Sequence, residues 1–241
     1  MVDILYKKKV MLNKRRKQMK EMPRFAVILS GCGRADGSEI HEAVTAILAI
    51  DKAGCTYQCF APDIEQAAVI DHLHSKKMEE RRNILIEAAR LARGNIKPLS
   101  ELNVKNFDCI LFPGGLGAIT NWCDFAKNGV NCKVESSVSR VLEDAYLNNI
   151  VIGAMCIAPV VVAKVLGKYG IKVTIGNDKT VAEAITQTGA KHENTKAEDV
   201  CVDEEHYIVT TPAYMLAKSI KEVSTGAEAM VKAMIRFAQE K

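Results

Sequence analysis

No apolar run in this chain approaches the roughly 20 residues that a membrane-crossing helix needs, so no membrane partner is expected. Eight cysteines are present, yet none forms a Cys-x-x-Cys pair. Cys55 and Cys59 bracket a strand-like segment whose alternation would not converge two thiols on one ion, and His72 and His74 have no cysteine nearby. No metal is therefore expected. No signal-like apolar stretch follows the basic residues at the start. The thiols accordingly read as reduced rather than as a disulfide framework. Beyond the first 24 residues there is neither an internal repeat nor a low-complexity tract.

A basic face is missing too, although the formal net charge is +4. Residues 1–24 hold nine of the 33 Lys/Arg and two of the 29 Asp/Glu, a net of +7, which leaves −3 for residues 25–241. The body is mildly acidic, and no nucleic-acid partner is implied. The leader has no serine and carries Asp3 and Glu21, unlike common transit segments. We read residues 1–24 as a disordered, dispensable extension and expect a cytoplasmic protein. The mitochondrion is the alternative if the leader acts as a transit segment. Residues 25–241 suit one domain with a substantial core.

What is present is an alternation of short apolar strands with helices. Phe25–Ser30, Thr56–Phe60, Cys109–Phe112, Ile150–Ala154 and Lys172–Ile175 read as strands. Helices are expected from Ser38 or Asp36 as cap to about Ala53, then over 79–92, 138–147, 159–166, 180–188 and 219–239. Val200–Val202 and Tyr207–Thr211 read as a hairpin. The pattern argues for βαβ units and a mainly parallel sheet. Ligands bind such sheets beyond the carboxyl ends of the strands. That rule points to the loops at 31–38, 113–118 and 155–159.

The segment Ile150 to Pro159 carries the strongest chemical signal. A nucleophile elbow sets its reactive atom on a strained strand-to-helix turn and needs small residues two before and two after it. Ala154 and Ala158 hold those places around Cys156, and Pro159 suits a first helical turn. A helix N-terminus beside the sulfur favours thiolate. Pro113-Gly114-Gly115 ends a neighbouring strand, where backbone N–H groups can join that of Ile157 in holding an oxyanion. A reactive thiol also needs a proton partner. Glu42, Ala46, Ala49 and Ala53 recur at helical spacing, so Glu42 is expected to point inward with a raised pKa, able to donate to a thiolate. His41 and Glu39 are alternatives, with Glu39 read as a solvated residue at the helix start.

Several of these stretches resemble a known family. Ser30 to Gly33, Asp36 to Glu42, Cys59 to Asp63, Arg82 to Arg90, Pro113 to Gly115, Met155 to Pro159 and Val209 to Ala217 are similar to the ElbB-type glyoxalases, also called enhancing lycopene biosynthesis proteins. These are a branch of the ThiJ/PfpI superfamily, with a class I glutamine amidotransferase-like fold. The resemblance runs from about Phe25 to the C-terminus. It implies an α/β fold, a flavodoxin-like three-layer sandwich with a nucleophile elbow, in a homodimer. It also implies a cofactor-independent lyase that converts glyoxal, or methylglyoxal, to the hydroxy acid. In its terms Cys156 is the nucleophile, Glu42 its carboxylic partner helped by His41, and Gly115 and Ile157 supply oxyanion N–H groups. The substrate would be a small aldehyde or dicarbonyl, or something upstream in isoprenoid metabolism. Ile157 stands where many superfamily members have histidine, which speaks against a peptidase. The Gly-x-Cys-x-Gly-Gln surroundings of true amidotransferases are absent, which speaks against ammonia transfer.

Two other readings compete. The same thiol would serve a non-enzymatic redox or electrophile sensor. Gly31-Cys-Gly33 after a strand suggests a dinucleotide turn, but Gly37 falls one residue late and Asp36 and Glu39 place negative charge where a pyrophosphate would sit.

Overall fold

Phe25 to Ile28 are wholly buried, as a continuous apolar run should be when both faces of its sheet are covered. They form β1 (Arg24–Ile28), and the computed structural model describes residues 22–241. Residues 1–21 of the basic leader, and with them the expectation of disorder there, lie outside the described residues. Beside β1 run β2 (Thr56–Ala61) and β6 (Cys109–Phe112), both parallel to it. The seven-stranded sheet has the order β10-β11-β7-β6-β1-β2-β5, completed by β5 (Ile96–Pro98), β7 (Val151–Met155), β10 (Cys201–Asp203) and β11 (Ile208–Thr211). Among the described residues of this sheet, only the β10–β11 pair is antiparallel, which is the expected hairpin.

Helices cover both faces. Helix α1 (Ile40–Lys52) packs against the closing helix α8 (Ile220–Glu240), which lies over β6, β7 and β11. Val223, Ala227, Met230, Val231, Met234 and Phe237 bury one stripe of α8 at helical spacing. Gly153 lets α8 approach the sheet, because a Cβ there would stand 2.3 Å from Met234 Sδ. A second group, α5 (Ser136–Leu147) and α6 (Pro159–Leu166), packs together and onto β7. The result is the expected flavodoxin-like layering of helices on a mainly parallel sheet.

Three expectations need correction, and one element was not foreseen. The helix expected over 79–92 is only α2 (Ile84–Leu91), because Arg82 O accepts from Gln66 N and Asn83 caps the helix by accepting from Ile86 N. Neither Ser38 nor Asp36 caps α1. Their oxygens accept from Ser30 N and Ile70 N, and Glu39 is the cap. Of the strand expected at Lys172–Ile175, only β8 (Lys172–Val173) pairs, with β9 (Lys191–His192) and off the main sheet. The Lys172 and Thr174 N–H groups go instead to the side chains of Asp203 and Thr210. Finally, the hairpin of β3 (Val69–Asp71) and β4 (Lys76–Met78) carries no apolar alternation that would have announced it.

Candidate active site

Because β1, β6 and β7 are parallel neighbours, the loops that follow them meet at one sheet edge. This brings together the three segments singled out from the sequence. The first loop supports the second. Leu116 N donates to Arg34 O, Gly117 N to Gly37 O, and the Asn121 amide to Ser30 O and Asp36 O. Gly33 and Gly37 spend their own N–H groups on Ser38 O and Gly33 O. A turn whose amides bond inward does not cradle a pyrophosphate, which counts against the dinucleotide reading.

Cys156 lies at the end of β7 with φ +61°, in the left-handed region that a non-glycine residue enters at a cost of about 1–2 kcal/mol. The turn is held by Cys156 N donating to Thr211 O at 2.9 Å and Ala158 N to Met155 O at 3.1 Å. Ala154 and Ala158 are fully buried on either side, and Pro159 opens α6. The elbow is as expected from its small neighbours. Cys156 keeps 8 % of its surface.

Glu42, in the first turn of α1, has none exposed. Its Oε2 accepts Gly114 N–H at 3.0 Å, its Oε1 accepts Tyr214 N–H at 3.2 Å, and its carboxyl lies beside the Cys156 side chain. The N–H groups of Gly115 and Ile157 border the same sulfur. Close approach explains the paired glycines. A Cβ on Gly114 would stand 2.4 Å from Cys156 Cβ and 2.5 Å from Glu42 Oε2. Gly115, at φ +101°, would meet Glu39 N and Gly37 O, each at 2.4 Å. Cys156, Glu42, Gly115 and Ile157 thus come together at this sheet edge.

Electrostatics corrects one expectation. Burial pushes the Glu42 carboxyl up to about 8, with the charge of Glu39 adding to the rise and hydrogen bonds from Cys156, Tyr214 and Gly114 opposing it. Burial also raises the Cys156 thiol well above its ordinary value, and the Glu42 charge raises it further, while the Gly115 and Ile157 N–H groups lower it. A helix N-terminus is worth about 0.3–1 kcal/mol to an anion, whereas drying an ion costs several. Desolvation wins, so the resting pair near neutral pH is a thiol beside a protonated carboxyl rather than a thiolate.

His41 is exposed, and its Nδ1 lies 2.8 Å from the Tyr214 hydroxyl. It reaches the acid–thiol pair through Tyr214. Two contributors carry more weight than the sequence reading gave them. Glu39, read as solvated, is 8 % exposed and accepts Glu42 N–H through Oε2 at 2.8 Å. Tyr214 reaches Glu42 from the turn after β11, a strand parallel to β7 whose end therefore opens on the same edge. The sequence signal for it was present in Thr-Pro-Ala-Tyr, but the hairpin reading did not place β11 next to β7.

No family model matches the chain. It is 42% identical over 224 residues to the human glutamine amidotransferase-like class 1 domain-containing protein 3, mitochondrial, across 89% of this chain and 83% of that one. Among solved structures it superposes on an isoprenoid biosynthesis protein with an amidotransferase-like domain from Ehrlichia chaffeensis, with a TM-score of 0.84 at 34% identity, over 89% of this chain and 99% of that one. It shares the fold of Drosophila melanogaster DJ-1beta, with a TM-score of 0.51 at 18% identity, over 91% of this chain and 96% of that one.

Proposed function

This chain belongs to the class I glutamine amidotransferase-like family, and from that premise we propose that it converts glyoxal to glycolate without a cofactor. One observation carries the reading: a fully buried carboxyl lies against a thiol held at a strained strand-to-helix turn. The Cys156 sulfur adds to one aldehyde carbon. Its proton passes to Glu42 as Glu42 gives its own to the aldehyde oxygen, and a hemithioacetal results. While negative charge develops on that oxygen, the Gly115 and Ile157 N–H groups are the donors placed to hold it.

A carboxyl titrating near 8 can both take and return a proton near neutral pH. Once ionised, Glu42 removes the proton from the sulfur-bearing carbon and returns one to the neighbouring carbon through an enediol, leaving a thioester. Water then cleaves the thioester, which releases glycolate and restores the thiol. Methylglyoxal fits the same sequence and yields lactate. His41 acts on Glu42 through Tyr214, as a positioning residue.

Replacing Cys156 with Ala removes glyoxal consumption while the fold persists, as followed by steady-state aldehyde loss and circular dichroism. Undiminished turnover in that variant would sink the mechanism, and wild-type rates no faster than those of a free thiol would return the site to the electrophile-sensor reading. For location we take the mitochondrion over the cytoplasm, because the human relative bears that word in its name. Failure of residues 1–24 to carry a fluorescent fusion into mitochondria would reverse that choice.

A further inference from the structure

Glu39 is a carboxylate with only 8 % of its surface exposed, and hydrogen bonds close a ring around it. Its N–H donates to Gly114 O at 2.9 Å, Gly114 N–H donates to Glu42 Oε2 at 3.0 Å, and Glu42 N–H returns to Glu39 Oε2 at 2.8 Å. The ring holds the Glu39 carboxyl beside Glu42, which in turn borders Cys156. That charge acts on Glu42 and on the Tyr214 phenol, and the Glu42 charge acts on Cys156. The charges named at these three side chains are those of carboxyls. His41, the polar neighbour on the same turn, is turned to the Tyr214 hydroxyl.

We infer that Glu39 is a specificity-determining residue that opens the Cys156 site to neutral electrophiles and closes it to anionic ones. Neutral dicarbonyls enter, whereas 2-oxo acids and phosphorylated aldehydes of similar size are repelled. The inference rests on the reactive-thiol reading above and adds the charge class of the substrate. Near a protein surface a second negative charge within about 10 Å is opposed by about tenfold or more in rate.

Iodoacetamide and iodoacetate test this directly, since they share a reacting carbon and leaving group and differ in charge. In each case the sulfur–carbon bond forms, the carbon–iodine bond breaks, iodide leaves and the thiol proton goes to solvent. Labelling of the Cys156 peptide is followed by mass spectrometry at neutral pH, with a short unfolded peptide spanning Cys156 as reference. The iodoacetamide-to-iodoacetate rate ratio should exceed that of the peptide by about tenfold. Glu39→Gln, which keeps the capping oxygen, should return the ratio to within about threefold of it. The ratio cancels any general change in thiol acidity. A wild-type ratio equal to that of the peptide overturns the inference, as does an unchanged ratio in a folded Glu39→Gln protein. If that variant does not fold, the wild-type comparison decides alone. Absence of Cys156 labelling by both reagents is a different failure, which removes the reactive thiol itself and the inference with it.

Discussion

Glu42→Gln should flatten the dependence of stability on pH. In the native state the carboxyl is pushed up to about 8, whereas a free one titrates near 4.5. Between those values the native protein binds more protons at this site than the unfolded chain does. Stability from Glu42 is thus complete below about pH 4.5 and is lost as pH rises toward 8. One pKa unit is worth about 1.4 kcal/mol, so from pH 5.5 to 8 the loss comes to roughly 3 kcal/mol. Glu42 is fully buried, so solvent screening does not dilute the effect. The glutamine variant starts lower at acid pH. Two backbone donors, Gly114 N–H and Tyr214 N–H, point at the two carboxyl oxygens, and an amide can accept only one of them. The stranded donor costs about 1–3 kcal/mol. Urea unfolding of both proteins at half-unit pH steps measures this, with the wild-type advantage shrinking across the window. Parallel stability curves for the two proteins would refute the assignment of the raised carboxyl to Glu42.

Two further outcomes follow from the same geometry. Gly114→Ala places a methyl 2.4 Å from Cys156 Cβ and 2.5 Å from Glu42 Oε2. Unfolding should show a loss of about 1–3 kcal/mol from overpacking, with glyoxal turnover nearly abolished. Full activity in that variant would disprove the close packing. Because burial and the Glu42 charge both raise the Cys156 thiol, its labelling rate by iodoacetamide should keep climbing past pH 9. A plateau near pH 6 would mean that the helix terminus outweighs desolvation after all.

Much of the fold was legible because its signals are local. Cys109–Phe112 and Pro159–Leu166 have the boundaries expected from apolar runs and from proline at a first turn. Elements whose backbone groups bond to distant side chains were misread. Asp203 and Thr210 shorten the strand at Lys172, and the tie between Gln66 and Arg82 delays helix α2 until Ile84. No window of neighbouring residues contains those partners.

The sequence by itself determined that a cysteine would stand between a buried strand and a helix with room around it, since Ala154, Ala158 and Pro159 permit little else. It also determined that Glu42 would face inward on a small-residue stripe. Only the tertiary structure decided the protonation of the pair and the third acid beside it. Glu39 is buried because the Gly114–Gly115 turn closes over it, and Tyr214 arrives on the turn after a strand from the far end of the chain. Local geometry follows from short-range sterics. The cost of a charge depends instead on everything that excludes water from it, and that is assembled from segments distant in the chain.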